Sequence, residues 1–196
     1  MRKGKPNDPE RRTRILHATL EVIRAEGAHA ASYRRIASQA DVPLGSMTYY
    51  FPELDGLIVT AFGTLRAELE PQLAAPLRNA STVDAVADAL TSATVGATSP
   101  SVGEVRLYTE LYHYAARSPR AADLIRALQE AALSLLRSHL SEAAARAVDA
   151  LMWGWWSYRS FHEDVPLDED MVRRAYRALL DVPTTDTTPE QEAHHA

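Results

Sequence analysis

The chain of 196 residues contains no cysteine. That excludes disulfides, thiolate zinc sites and cysteine nucleophiles, and with them the small secreted scaffolds that depend on bridges. No apolar run approaches the ~20 residues a membrane helix requires. The polar beginning, with Arg2, Lys3 and Lys5, has no signal-peptide core, so no membrane partner and a cytoplasmic location are expected. No G-x-S-x-G turn is present to expose a nucleophilic serine. Strand-like alternation of useful length is missing too, as is any internal repeat. What is left is an all-α chain of about nine helices. A hydrophobic content of 46% is ample for the core of one or two compact domains.

The net charge of -5 argues against a polyanionic partner until it is divided along the chain. Residues 1–54 carry nine Lys and Arg against six Asp and Glu, a balance of +3, whereas residues 55–196 carry twelve against twenty, a balance of -8. A mildly basic head precedes an acidic body. An excess this small suits chance scatter as well as function. The motif within the head has to carry the case.

That motif is SYRRIASQADVPLGSMTYYF, residues 32–51. Ser32 is placed to cap a helix through its side-chain oxygen, with Ile36, Ala37 and Ala40 falling along one buried side. Asp41 tolerates the left-handed backbone of a sharp turn, and Val42 and Pro43 lead into a second helix with Met47 and Phe51 inward. Leu44, Gly45, Ser46, Thr48, Tyr49 and Tyr50 remain outward, small or hydroxyl-bearing groups that can approach phosphates and base edges. Two short helices in this relation form a helix-turn-helix.

Around it, further helices follow from apolar spacing and punctuation. Asp8 and Pro9 suit the start of a helix through Ile15, Leu16, Thr19, Leu20 and Ile23, ended by Gly27. A fourth helix starts near Leu54, and Pro71 is expected to kink or end it. Ser81 with Asp84 three residues on predicts another start, and ATSPSVG predicts a loop before a helix over Val105 to Ala116. Ser118-Pro119 and Ser141-Glu142 open two long helices. The second of these, to about Phe161, is apolar around nearly its full circumference and calls for neighbours on several sides. Asp168 caps a last helix, and the tail from Pro183 is polar.

At these residues the chain resembles the TetR family of transcriptional regulators. Members share R-I-L-x-A-A, a helix ending in G, then S-x-R-x-I-A-x-x-A-G-V-x-x-G-x-L-Y-x-Y-F-x-S-K-x-x-L. This chain has RILHAT, EG and SYRRIASQADVPLGSMTYYFPELDGL. The resemblance covers roughly the first 60 residues, about one small module. It implies a three-helix DNA-binding domain over residues 1–54, an effector-binding and dimerisation domain over 55–182, and a tail over 183–196. It places Arg34, beside Tyr33, and Leu44, Gly45, Ser46, Thr48, Tyr49 and Tyr50 against operator DNA. Three departures stand out: Asp41 replaces the usual Gly, Pro43 removes a capping hydroxyl worth roughly 0.5 to 2 kcal/mol, and Leu54 takes the place of a Lys between Glu53 and Asp55. Arg11, Arg12, Arg34 and the N-terminal tail are expected to supply the lost attraction.

The resemblance further implies a homodimer built on the last two long helices and a small-molecule effector, apolar or aromatic in class, held in the second domain. Tyr108, Tyr112, Trp153, Trp156, Phe62 and Glu110 are the residues expected at the effector. Trp155, Tyr158, Met171, Ala175, Tyr176 and Leu179 are those expected at the partner. Glu104, Arg106, His113, His162 and Glu163 are the other polar candidates near the cavity, although charged side chains on such helices more often face water. The function implied is a repressor that binds a palindromic operator and is released by its effector. An activator using the same DNA contacts is the alternative. A metal-dependent helical-bundle enzyme is a more distant one: Glu110-x-x-His113 has the spacing of one di-iron ligand pair, but the second pair such sites need is missing from the sequence. No cofactor or metal is expected.

Overall fold

The stripe beginning at Ile15 winds into α1, Arg11–Glu26, which buries Ile15, Leu16, Leu20 and Ile23 on one side. Gly27, at φ 84°, ends it where a side chain would be strained. A short 3-10 turn, Ala28–Ala30, leads to α2, Tyr33–Gln39, and α3, Leu44–Tyr50. The computed structural model describes residues 10–162 and 164–180. The expected Asp8-Pro9 start, the basic tail with Arg2, Lys3 and Lys5, Glu163 and the polar tail from Pro183 lie outside the described residues. Among those described, nine α-helices and one 3-10 turn account for the regular structure, with no strand.

The helix-turn-helix forms as its sequence dictates. The Ser32 hydroxyl accepts from the Arg35 N–H (3.3 Å), and Ile36, Ala37 and Ala40 are buried. Asp41 adopts φ 51°, alone among the described non-glycine residues in the left-handed region. Pro43 gives α3 no side-chain cap, and its carbonyl instead accepts from the Ser46 N–H (2.8 Å). Met47 and Phe51 then close the core from beneath.

The fourth helix departs from expectation. α4 runs over Leu54–Arg78, 25 residues, straight through both Pro71 and Pro76. Pro71 therefore does not end it. Each proline lacks an N–H and leaves one carbonyl, of Ala67 and of Gln72, without its helical donor. The helix is held by flanking packing instead: Leu57, Ile58, Ala61, Phe62, Leu65 and Leu69 before the prolines, Ala74 and Leu77 around them. At 1.5 Å per residue it spans about 37 Å.

Two other starts move by a few residues for capping reasons. α5, Val83–Thr94, is capped by Thr82, whose hydroxyl accepts from the Ala85 N–H (3.1 Å), and not by Ser81. α6, Val102–Ala115, begins inside the expected loop because Ser101 and Glu104 satisfy each other's backbone N–H groups in a capping box. Ser118, Ser141 and Asp168 cap α7 (Pro119–Arg137), α8 (Glu142–Phe161) and α9 (Glu169–Leu180) as their sequences suggest.

The apolar side chains gather into two cores. The front core joins α1, α2 and α3 to the first half of α4 and to Leu107, Leu111, Ala121 and Ile125 of α6 and α7. The rear core joins the end of α4 to α5, α7, α8 and α9 around Val148, Val172 and Tyr176. α4 and α7 pass from one into the other.

Candidate functional site

The front surface is built by α2 and α3. Leu44 and Tyr49 are 51% and 80% exposed, Gly45 and Thr48 lie open beside them, and Ser46 and Tyr50 are half-buried. Arg34 is exposed on α2. Tyr49 meets Tyr50 edge to face (5.1 Å), which holds one ring out while the other packs against the core. Tyr33 behaves differently from its neighbours: its hydroxyl donates to the Phe51 carbonyl (2.7 Å), fastening α2 to the end of α3. Burial, then the charge of Glu53, pushes that phenol up. Of the arginines, Arg12 lies over the Phe51 ring (5.2 Å), and Arg35 pairs with Glu26.

Behind this surface, polar links tie the head to the body. The Ala28 N–H, just past the end of α1, donates to a Glu110 carboxylate oxygen on α6 (2.7 Å). The Tyr114 hydroxyl of α6 donates to Asp55 at the start of α4 (2.9 Å), and Arg120 of α7 pairs with Glu53 and, at 3.8 Å, with Asp55. Burial and the Asp55 hydrogen bond push the Tyr114 phenol up to about 12. Glu53 and Asp55, which flank the position where a Lys is usual, therefore serve the joint between head and body.

Between the two cores lies a cavity of about 460 Å³, walled by α4, α5, α6, α7 and α8. Tyr108, Tyr112, Trp153 and Trp156 line it. Tyr112 and Trp153 lie 4.9 Å apart, Trp153 meets Trp156 edge to face at 6.5 Å, and the Trp156 indole N–H donates to the Ala93 carbonyl (3.0 Å). Burial first, then the charge of Glu104, pushes the Tyr108 phenol up to about 12. Polar groups break the lining at Arg66, Glu70 and Arg78 of α4, Gln129 of α7 and Asp149 of α8. Burial also raises the Asp149 carboxyl.

Two residues expected at the cavity are elsewhere. Phe62, 1% exposed, is a pillar of the front core, because its place on α4 faces α1 and lies before the helix reaches the cavity. Glu110 sits on the side of α6 turned toward the head, where Ala28 takes its carboxylate. Glu104 is engaged in its capping box, Arg106 donates to the Ser160 carbonyl (3.2 Å), and His113 is exposed. His162 stacks on Tyr158 (4.0 Å).

At the rear, Tyr176 is not at the partner surface where it was expected. It is fully buried, shares a hydrogen bond with Thr94 (2.6 Å) and receives the edge of Trp155 (5.2 Å), so it builds the core of one protomer and offers no face to a second. Tyr158 and Met171 are exposed, and Ala175 and Leu179 are half-buried. Along α8, Ala150, Gly154 and Tyr158 follow the exposed Arg146 at one-turn intervals and are themselves exposed and uncharged. No described helix is long and apolar enough to cross a membrane.

The polar lining escaped the sequence reading, yet Asp149 left a trace. After Glu142, it is the one acid on α8, set one turn before Trp153 in an otherwise apolar stretch. Arg66 and Glu70 carried no such mark, since an i, i+4 ion pair is the ordinary dress of a solvated helix face.

Known proteins resemble the chain over both its parts. Residues 15–60 match the family described as bacterial regulatory proteins, tetR family. Over 60 residues, 31% of the chain, it is 42% identical to the HTH-type transcriptional repressor KstR of Mycolicibacterium smegmatis, and that match spans 29% of the repressor's length. A solved structure of a TetR-family member, SCO1917 from Streptomyces coelicolor A3, is 31% identical over 89% of this chain and 100% of its own, with a TM-score of 0.75. The multidrug binding protein EbrR in complex with imidazole is 32% identical over 91% of this chain and 99% of its own, with a TM-score of 0.72. EbrR has also been solved with proflavin, ethidium and malachite green.

Proposed function

The chain belongs to the TetR family of transcriptional regulators, and from that premise we propose that it is a dimeric, effector-released repressor of a palindromic operator. Residues 1–54 act as the DNA-reading head and residues 55–182 as the effector-binding and dimerising body. The outward groups of α3, Leu44, Gly45, Ser46, Thr48, Tyr49 and Tyr50, enter the major groove, with Arg34 on the backbone beside it. Tyr33 supports them by holding α2 to α3. Two heads of a dimer then meet half-sites about one turn, ~34 to 36 Å, apart.

The observation that carries this reading is that one helix serves both ends of the molecule. α6 presents Tyr108 and Tyr112 to the cavity and, on its other side, grips Ala28 and Asp55 through Glu110 and Tyr114. A molecule wedged against Tyr108 and Tyr112 cannot shift α6 without shifting the head. It has to favour the displaced form by roughly 100-fold to empty the operator, about 2.7 kcal/mol. The volume suits a small aromatic effector, and the dyes found in EbrR are of that shape.

The partner surface is assigned to the exposed faces of α8 and α9. Beyond its own helix backbone, Gly154 has no heavy atom within 4 Å of where a Cβ would lie, and Tyr158 and Met171 continue an apolar face that lets a second helix approach closely. Trp155, Ala175 and Leu179 support that face from behind.

Nuclease protection on DNA flanking the gene, with and without aromatic compounds, tests the whole reading. A protected palindrome that is lost on adding a compound which also quenches tryptophan fluorescence is the expected result. No protection of any site over competitor DNA would overturn it. Gly154→Arg should elute as a monomer in gel filtration and lose operator affinity with it.

A further inference from the structure

The α8 wall of the cavity is aromatic and aliphatic except at Asp149. This carboxylate is half-buried and makes no hydrogen bond or ion pair with any described residue. None of the charged groups that line the cavity from other helices pairs with it. Arg66 and Arg78 of α4 both engage Glu70, at 3.1 and 3.8 Å. Gln129 of α7 donates to the Tyr112 hydroxyl of α6 (3.4 Å). Burial pushes the Tyr112 phenol up, the Gln129 bond pulls it partly back, and the negative charge of Asp149 adds to the rise.

A carboxylate withdrawn from water without a cation is a cost to the empty protein, and a bound cation would offset it. The side chains around it narrow what that cation can be. Tyr112, Trp153 and Trp156 present aromatic faces and edges within one cluster, a surface that attracts a delocalised positive charge more than a compact, strongly hydrated one. Leu128, Leu135 and Met152 add apolar surface to the wall.

Resting on the effector-cavity reading above, we propose that the cavity selects a planar aromatic cation, with Asp149 as its counter-ion and Tyr112, Trp153 and Trp156 as its stacking surfaces. Asp149 thereby sets the charge specificity of the effector, while the volume sets its size.

The test compares two probes of one shape: 9-aminoacridine, protonated at neutral pH, and acridine, neutral there. Titrating each into the full-length protein and following tryptophan fluorescence should show the cation binding about tenfold more tightly. Asp149→Asn should erase that preference, chiefly by weakening the cation, and Asp149→Glu should keep most of it. Circular dichroism melts confirm that each variant is folded. Equal affinity for the two probes in the wild type, or a preference that survives in Asp149→Asn, overturns the charge inference and leaves the cavity reading standing. Failure of both probes to bind defeats the cavity reading, and the inference falls with it.

Discussion

The front core and the rear core use the same apolar residue types to different ends. Around α1 and the first half of α4, the side chains of Ile15, Ile36, Met47, Leu57, Phe62 and Leu111 are all 0–1% exposed, and polar links seal the rim through Glu110, Tyr114 and Arg120. The rear core is fully closed around Val148, Val172 and Tyr176, but opens into a cavity on one side and onto the bare face of α8 on another. A surface that must meet a rigid duplex in register is set on closely packed material. The part proposed to admit a ligand and a partner copy keeps its aromatics half-exposed.

The sharpest way to break that contrast is to cut one aromatic from each region. Phe62→Ala opens a cavity in the front core and should cost about 3–5 kcal/mol in urea unfolding. Trp153→Ala, on a wall that is already open, should cost well under that while reducing the fluorescence change on aromatic binding to what Trp156 reports. Equal losses from the two would mean that the cavity is closed in solution.

Those two residues also mark where the sequence could be read and where it could not. The helix-turn-helix was legible because each of its devices is local: a capping Ser32, a turn at Asp41, inward Met47 and Phe51. Tyr108, Tyr112, Trp153 and Trp156 were legible as a group, since four aromatics on two helices exceed what a stripe of core needs. Phe62 and Glu110 were not. Helical spacing gives the side of a helix a residue occupies, but which neighbour covers that side depends on how the helices cross, and α4 faces the front core at Phe62 and the cavity only from about Arg66 onward. Tyr176 misled for the same reason: a stripe that can face a partner can equally face α5, and the hydroxyl of Thr94 decided it. Pro71 was read as a kink or an end; it is not an end, because a helix packed on both sides tolerates the lost hydrogen bond.

The joint between the two regions gives the next largest effect. Glu110→Ala leaves the Ala28 N–H unsatisfied in a half-buried place, at about 1–3 kcal/mol of stability. The more telling readout is coupling. In a gel-shift titration, the variant should bind the operator with reduced affinity and respond less to a compound that still quenches its tryptophans. A full response would route the signal through α4 alone, by way of Leu73 and Leu77.

Smaller again is Tyr176→Phe, which removes one buried hydrogen bond but leaves the Thr94 hydroxyl donating to the Leu90 carbonyl (2.7 Å). About 0.5–1.5 kcal/mol should be lost in unfolding experiments, with no change in the dimer measured by sedimentation. A weakened dimer at unchanged stability would return Tyr176 to the partner surface.

The smallest effect carries the opposite sign and separates the regions by pH. Burial raises the folded-state pKa of Asp149 above its unfolded value, so its ionised form opposes folding. That penalty is complete at pH values above the raised pKa, shrinks as pH falls through it, and vanishes below the ordinary carboxyl value of about 3.9, where both states hold the proton. Asp149→Asn should therefore melt higher than the wild type at neutral pH without ligand, and the gap should close as the buffer is made acidic. A saturating aromatic cation should reverse the order, because only the wild type retains the counter-ion. The front core has no carboxylate held in this way, since Glu110, Glu53 and Asp55 all have donors, and neutralising any of them should destabilise the protein at neutral pH. A melting point that fell in Asp149→Asn would mean that the carboxylate already has a partner in the empty protein, and the rear region would then be as closed as the front.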